Sequence, residues 1–115
     1  MTTTTVGTTL TTIATLDTGR SDRIGVAVTN GATAFNAFQL QGTIDGTTWV
    51  TLASDAGGFS TPVLPMRRCL GSPVTLAGGA VATLLIDGGY FRQIRLQASV
   101  ASGTSVVTVD AWTNR

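Results

Sequence analysis

The segment that most constrains what this chain can fold into is residues 38–52, FQLQGTIDGTTWVTL. Phe38, Leu40 and Ile44 are two or four residues apart, so in an extended strand all three share one face. The Asp-Gly pair at 45–46 then supplies the backbone freedom that a tight turn needs, and a second alternating run follows it. Alternation on both sides of an Asp-Gly pair predicts a β-hairpin, and with it a β fold.

Asp45, Gly46 and Trp49 are the most distinctive residues of this hairpin. Trp49 opens the returning strand, and large aromatic side chains dominate packing in small domains. We therefore predict that Trp49 is a core or hairpin anchor. The alternative is functional: beside the turn, its indole could stack on a sugar ring.

Short alternating runs continue along the rest of the chain. Ile24 and Val26 alternate with small or polar residues, as do Ile94 and Leu96, and we expect these apolar residues to face the core. No segment combines helical periodicity with capping residues. The expected strands are 9–16, 23–29, 35–43, 48–53, 81–86, 90–99 and 105–112. The run 63–70 is either an edge strand or an irregular segment, and residues 74–76 could add a short strand. Seven or eight short strands separated by turn signals predict one all-β domain over residues 9–115, an antiparallel β-sandwich or jelly roll.

Three places depart from regular alternation. Leu10, Ile13 and Leu16 are the expected anchors of the first strand, and their uneven spacing predicts a β-bulge. The Asn-Gly pair at 30–31 predicts a turn with a positive backbone φ angle. Pro65 restricts its run to an edge strand or an irregular segment, because proline cannot donate a hydrogen bond to a neighbouring strand.

The composition excludes most enzyme chemistry. The chain has no His, Lys or Glu, and its charged residues are seven arginines and six aspartates. General acid–base and nucleophilic catalysis mostly relies on His, Lys, Glu or Cys, and neither a Ser-His-Asp triad nor a His-ligated zinc site can be built from this chain. A lone Cys69 allows no intramolecular disulfide and is expected to be a small, partly buried hydrophobe. We expect a protein that is not an enzyme and that has no cofactor and no metal.

The predicted surface is covered by hydroxyl groups rather than by charges. Only 11% of the residues are charged, compared with roughly 25% in ordinary soluble domains, and Thr makes up nearly a fifth of the chain. Such a surface suits close packing against a neighbour. The net charge of +1 offers no basic stripe for a nucleic acid. No apolar run is long enough to span a membrane, and no secretory signal is visible.

Residues 1–8, MTTTTVGT, are predicted to form a Thr-rich N-terminal arm. Threonine favours extended backbone, but this arm has little to bury, so it either frays or adds to the sheet edge of a neighbour in an assembly. Outside the arm, an apolar loop tip, an arginine pair and a tryptophan near the C-terminus could each touch a partner subunit. The candidate assembly contacts are therefore Thr2, Thr3, Thr4, Thr5, Val6, Phe59, Arg67, Arg68 and Trp112.

Three motifs occur in a characteristic order. Residues 42–49 read GTIDGTTW, residues 90–96 read YFRQIRL, and residues 102–104 read SGT before a Val/Thr strand. This ordered set, over about residues 35–112, resembles the small β-sandwich virion proteins and modules of tailed bacteriophages. Their typical form is a G-S/T-x-D-G-x-x-W hairpin, an aromatic residue with an IRL or VRL strand, and a closing SGT hairpin. The N-terminal arm is not diagnostic.

The resemblance implies a structural part of a virion. Such modules serve as capsid decoration proteins, head fibres, and tail or baseplate components. We expect a capsid decoration (cement) protein that binds the major capsid protein outside the head shell as a homo-oligomer, with a trimer favoured. The alternatives are a tail, baseplate or fibre component and, from another functional class, a carbohydrate-binding module that uses Trp49 or Trp112 as its platform.

Overall fold

Strands form wherever apolar side chains alternate with small or polar ones. The computed structural model describes residues 2–17, 23–54, 66–70, 79, 81–86 and 91–114. The nine strands are β1 (Thr2–Val6), β2 (Thr11–Asp17), β3 (Arg23–Thr29), β4 (Phe35–Thr43), β5 (Val50–Ser54), β6 (Met66–Leu70), β7 (Val81–Ile86), β8 (Gln93–Val100) and β9 (Ser105–Asn114).

The strands form two sheets. One has five strands in the order β1-β9-β3-β7-β6, and the other has four in the order β2-β8-β4-β5. Every paired neighbour is antiparallel. The prediction of an all-β antiparallel sandwich is confirmed, with nine strands where seven or eight were expected. As predicted for the proline-containing run, β6 is an edge strand.

The core lies between the two sheets. Strand β3 contributes Ile24, Val26 and Val28, and the facing sheet contributes Ile94 and Leu96, all at most 1% exposed. The alternation in these two strands therefore identified their core faces correctly. The other buried apolar side chains are Val6, Ile13, Ala14, Phe35, Phe38, Leu40, Ala82, Leu84, Ile86, Ala98, Val100, Val107 and Val109.

The N-terminal residues belong to the sandwich. Strand β1 pairs with β9 of the same chain, from Thr2 opposite Val109 to Val6 opposite Ser105. Val6 is completely buried and anchors the strand against the core. The structure thus places the predicted arm on the edge of its own five-stranded sheet.

Strand β2 contains the predicted bulge, where the pairing register with β8 shifts between Thr12 and Ala14. Of the three expected anchors, Ile13 is buried and Leu16 packs partly against the core. The prediction for Leu10 was wrong: it lies before the strand begins and is 38% exposed.

The hairpin of β4 and β5 is confirmed, but its connection is longer than a two-residue turn. Strand β4 ends at Thr43, so Ile44 begins the connection and is 74% exposed instead of facing the core. The carboxylate Oδ1 of Asp45 accepts the backbone N–H groups of Thr48 at 2.7 Å and Thr47 at 2.8 Å. These bonds organise the connection around the carboxylate.

Thr43 and Gly46 also stabilise this connection. The Oγ1 of Thr43 donates to Asp45 Oδ1 at 3.0 Å and accepts the N–H of Gly46 at 3.0 Å. Gly46 has a φ of 91°, a conformation that side chains with a Cβ rarely adopt. The Asp-Gly pair therefore acts as predicted, with glycine supplying the positive φ.

The Asn-Gly pair at 30–31 behaves differently from the prediction. No non-glycine residue of the described chain has a positive φ, and those glycines that do are Gly46, Gly79 and Gly103. Gly31 is required for space instead. A Cβ there would lie 2.4 Å from the carbonyl oxygen of Val106.

Candidate assembly surface

The outer face of the five-stranded sheet exposes large apolar side chains. Trp112 is 73% exposed, Val81 55%, Val106 52% and Leu85 41%. Val81, Leu85 and Val106 each alternate with buried residues, so the same periodicity that builds the core places them outward. Trp112 lies on the outer side because it is an even number of residues from Val106 along β9. Residues Val106 to Trp112 along β9 span about 20 Å at 3.4 Å per residue.

A shallow trough of about 400 Å³ lies across the central strand of this face. Along β3, Gly25 has no side chain and Ala27 has only a methyl group. Gly25 has Trp112 opposite it on β9 and Leu85 opposite it on β7. Small residues between larger ones leave a depression. Its lining residues are Gly25, Val26, Ala27, Thr83, Asp110, Ala111 and Trp112.

Strand β1 extends this face beyond β9. Thr3 and Thr5 pair with Thr108 and Val106, which point outward, so their side chains lie on the same outer side. The side chains of Thr2, Thr4 and Val6 lie on the opposite side of the strand, toward the facing sheet. Thr4 Oγ1 donates to the carbonyl of Ile13 at 3.5 Å.

The sequence-predicted contacts are therefore divided. Trp112, Thr3 and Thr5 come together on one face, whereas Val6 is buried and is not available to a partner. Arg67 and Arg68 lie on β6, at the opposite edge of the same sheet. Phe59 lies outside the described residues, as do the predicted strand at 74–76 and most of the loop at 54–62.

The outer face of the four-stranded sheet is polar. The guanidinium carbon of Arg95 lies 4.2 Å from the ring centroid of Trp49, and Arg95 Nε donates to Gln41 Oε1 at 2.7 Å. Gln41 Nε2 donates to Thr51 Oγ1 at 3.1 Å. Trp49 is half-buried and lies on this outer face. It is therefore not a core residue, and it lies in the connection just before β5 begins at Val50 instead of opening that strand. Its role as a hairpin anchor stays a prediction.

A second chain of polar contacts runs across the same face. Gln39 Nε2 donates to Gln97 Oε1 at 2.5 Å, and Gln97 Nε2 donates to Thr12 Oγ1 at 3.0 Å. These side chains connect β4, β8 and β2. The two outer faces of the sandwich thus differ in chemistry. One exposes large apolar side chains among threonines and Asp110, and the other is built from amides, hydroxyls and a guanidinium.

The strongest electrostatic perturbation in the described chain belongs to a turn. The backbone N–H groups of Thr48 and Thr47, together with the hydroxyls of Thr48 and Thr43, hold the pKa of the Asp45 carboxyl well below its usual value. This carboxylate is fully exposed, and its partners explain it as a turn-organising group. Within the described ranges, no three Cys or Asp side chains cluster closely enough to hold a metal ion.

Sequence reasoning did not single out Leu85, Val81 and Val106 as surface residues. Alternation divides each strand into two faces, but it does not say that an apolar residue such as Leu85 lies on the outer one. The outward direction of Arg95 and Gln97 was readable from alternation. Their cross-strand partners were not, because strand order cannot be read from the spacing.

No protein-family model, curated protein or solved structure matches this chain. The part of the chain that the structure describes contains no helix long and apolar enough to cross a membrane.

Proposed function

We propose that this chain is a non-enzymatic structural protein of a bacteriophage virion, and that it decorates the outside of the head shell. The observation that carries the proposal is the outer face of the five-stranded sheet, hereafter the apolar face, where exposed Trp112 and Leu85 flank the trough and Val106 and Val81 are also exposed. Thr108 and Asp110 lie between Val106 and Trp112 along β9. The ordered motifs at 42–49, 90–96 and 102–104 support it through their resemblance to virion modules.

An exposed apolar face of this kind favours a permanent partner. Isolated exposed apolar residues are ordinary, but a contiguous patch marks an interaction site. Trp112 can act as the anchor that inserts into a partner. The trough between Trp112 and Leu85 can receive a side chain from that partner. Tryptophan is among the residues that contribute most to binding at protein interfaces.

A homo-oligomer, with a trimer favoured, would strengthen attachment to a symmetric shell. Each subunit presents the same face, so several weak contacts act together and raise the overall affinity without any new contact. The major capsid protein is the proposed partner. The low charge and the abundance of threonine are compatible with close packing against it.

Copy number tests where in the particle the protein lies. Particles purified on a density gradient are analysed by quantitative mass spectrometry against the major shell protein. Hundreds of copies per particle support the decoration role. A few to some tens would move the protein to the alternative location, the tail, baseplate or a fibre. Absence from particles would overturn both assignments.

Surface variants test the apolar face directly. We expect Trp112→Ser to weaken binding to particles that lack the protein by about tenfold or more, as the loss of an interface anchor does. Gly25→Val should also weaken binding by filling the trough, since a Cβ at Gly25 meets neighbours at an ordinary 3.9 Å.

Ile44→Ser is the matched control for these variants. Ile44 is as exposed as Trp112, at 74% compared with 73%, but it lies in the β4–β5 connection. This variant should bind particles like the wild type. If Trp112→Ser and Gly25→Val both bound particles as tightly as the wild type, the apolar face would not be the docking surface.

A further inference from the structure

We infer that the outer face of the four-stranded sheet is a glycan-binding surface, with Trp49 as its stacking platform. The inference goes beyond the proposed assembly role and does not depend on it, because it concerns the opposite face of the sandwich. It commits to a carbohydrate because of the chemistry that this face presents.

The first argument is the fixed orientation of the aromatic ring. The guanidinium of Arg95 lies over the Trp49 ring at 4.2 Å from its centroid, and the Nε of Arg95 is held by Gln41 at 2.7 Å. A cation over the indole is attracted by the ring quadrupole. The half-buried indole is thus oriented before any ligand arrives, which lowers the ordering cost of stacking.

The second argument is the row of neutral hydrogen-bonding groups. Gln39, Gln41 and Gln97 each carry donors and an acceptor on one amide, and Thr51 adds a hydroxyl that does both. Sugar hydroxyls also donate and accept, so amide and hydroxyl groups match them. Among the described residues, the side-chain amide of each glutamine makes one or two hydrogen bonds. An amide can make up to four, so each retains capacity for a ligand.

The third argument is spacing. The amides project from adjacent strands β4 and β8, where Gln39 lies opposite Gln97 and Gln41 lies opposite Arg95. Neighbouring strands are about 4.8 Å apart, which is comparable to the length of one pyranose unit. The row therefore suits an extended oligosaccharide lying across the strands.

The charge of this face argues against a nucleic acid. Among the described residues, Arg95 lies over Trp49 among neutral amides and hydroxyls, and Arg92 lies beside Gly46 in the connection. The chain as a whole carries a net charge of only +1. Nucleic-acid binding relies on a stripe of several basic residues that neutralise phosphates. One guanidinium instead suits the hydroxyls of a neutral sugar or the carboxylate of a uronic acid.

The test uses the full chain on an array of neutral glucans, mannans and galactans together with uronate-containing oligosaccharides. Hits are confirmed by titration with the same oligosaccharide while tryptophan fluorescence is recorded. We expect binding to at least one class, and a loss of about tenfold or more in affinity for Trp49→Ala, as for removal of an aromatic anchor.

Two further variants separate binding from folding. Thr51→Val replaces an exposed hydroxyl with a methyl group of the same size and should weaken binding while leaving the thermal midpoint unchanged. Trp112→Ala removes the other tryptophan and should bind like the wild type. The inference would be overturned if the chain bound no glycan on the array. It would also be overturned if Trp49→Ala and Thr51→Val both bound the oligosaccharide with wild-type affinity. Neither outcome bears on attachment to particles.

Discussion

Asn30 and Gly31 are joined to the start of β9 by a buried set of hydrogen bonds. Ser105 Oγ donates to Asn30 Oδ1 at 2.7 Å, and Asn30 Nδ2 donates to the carbonyl of Thr33 at 2.7 Å. Asn30 is only 2% exposed, so its amide has replaced water with protein partners. At Gly31 the backbones approach too closely for any side chain. These two residues fix how the end of β3 meets β9.

We expect Gly31→Ala to destabilise the fold by about 1–3 kcal/mol, the usual cost of forcing extra atoms into a packed site. The new Cβ would lie 2.4 Å from the oxygen and 2.9 Å from the nitrogen of Val106, both backbone atoms. Urea unfolding measures the change. Gly7→Ala is the matched control, because a Cβ at Gly7 meets nothing within 4 Å. A Gly31 variant as stable as the Gly7 variant would show that the backbone yields easily there.

Asp45 predicts a specific dependence of stability on pH. Its pKa is lower in the folded chain than in the unfolded chain because the backbone N–H groups of Thr48 and Thr47 favour the charged carboxylate. The resulting stability is therefore fully present above the unfolded pKa, about 3.9, and is lost as the pH falls toward the lower folded pKa. Protonation removes the charge that these donors stabilise.

We expect Asp45→Asn to lower the urea midpoint at pH 7, and the difference from the wild type to shrink progressively as the pH falls below about 4. Urea titrations at several pH values between neutral and acid measure it. Thr47→Ala keeps the carboxylate and the backbone N–H, so its difference from the wild type should not vary with pH. A constant difference for Asp45→Asn at all pH values would contradict the role of the charge.

At the scale of the element, β1 shows what sequence alone could not establish. Four consecutive threonines carry no alternation, so the apolar pattern that identified β3 and β8 was missing, and only Val6 marks the inward side. Residues 2–6 form a strand because they pair with β9, about 100 residues further along the chain. Such long-range pairing cannot be read from the local sequence. Strands with clear alternation, such as 23–29, were predicted to the residue. The core faces of Ile24 and Leu96 followed from the same signal.

Other differences arise where a strand ends. Ile44 continues the spacing of Phe38 and Leu40, yet the carboxylate of Asp45 organises a connection that begins at Ile44. Trp112 was singled out from the sequence as a candidate contact, and the structure shows that it is exposed. Leu85 could not be added, because its nearness to Trp112 depends on both strands flanking β3.

We expect Val6→Ala to loosen β1 selectively, at a cost of about 1–2 kcal/mol for the buried methyl groups. Val6 is completely buried, and among the described strands β1 pairs with β9 alone. Hydrogen exchange should show faster exchange of the β1 amides while those of β3 stay protected. Thr5→Ser, on the outer side of the same strand, should leave the protection of β1 nearly unchanged. If Val6→Ala and Thr5→Ser changed the exchange rates of the β1 amides equally, Val6 would not be the anchor of the strand.

At the scale of the whole molecule, the sandwich separates two surfaces with different chemistry. Trp112 lies outside one sheet and Trp49 outside the other, with the core between them. If the apolar face is bound to a shell, the polar face points away from it. The two proposed activities can then operate at once, because neither partner needs the surface that the other occupies.

The two tryptophans should therefore be separable in a paired experiment. We expect Trp112→Ser to lose particle binding and retain glycan binding, and Trp49→Ala to show the reverse. Residues on opposite outer faces, separated by the core, normally act independently. Particle co-sedimentation and the fluorescence titration measure the two activities on the same preparations. A variant that loses both without a change in thermal midpoint would show that the faces are coupled.

The strand order also has a consequence for biosynthesis. Strand β9 lies between β1 and β3, and β8 lies between β2 and β4, so inner positions of both sheets are filled by residues 93–114. Until that segment leaves the ribosome, β1 and β2 have no partner, and the nascent chain can form little beyond the β4–β5 hairpin and the β3, β6 and β7 pairings. Such long-range pairing slows folding and exposes apolar strands in the meantime. The sandwich can therefore complete its folding only after residues 93–114 have been synthesised.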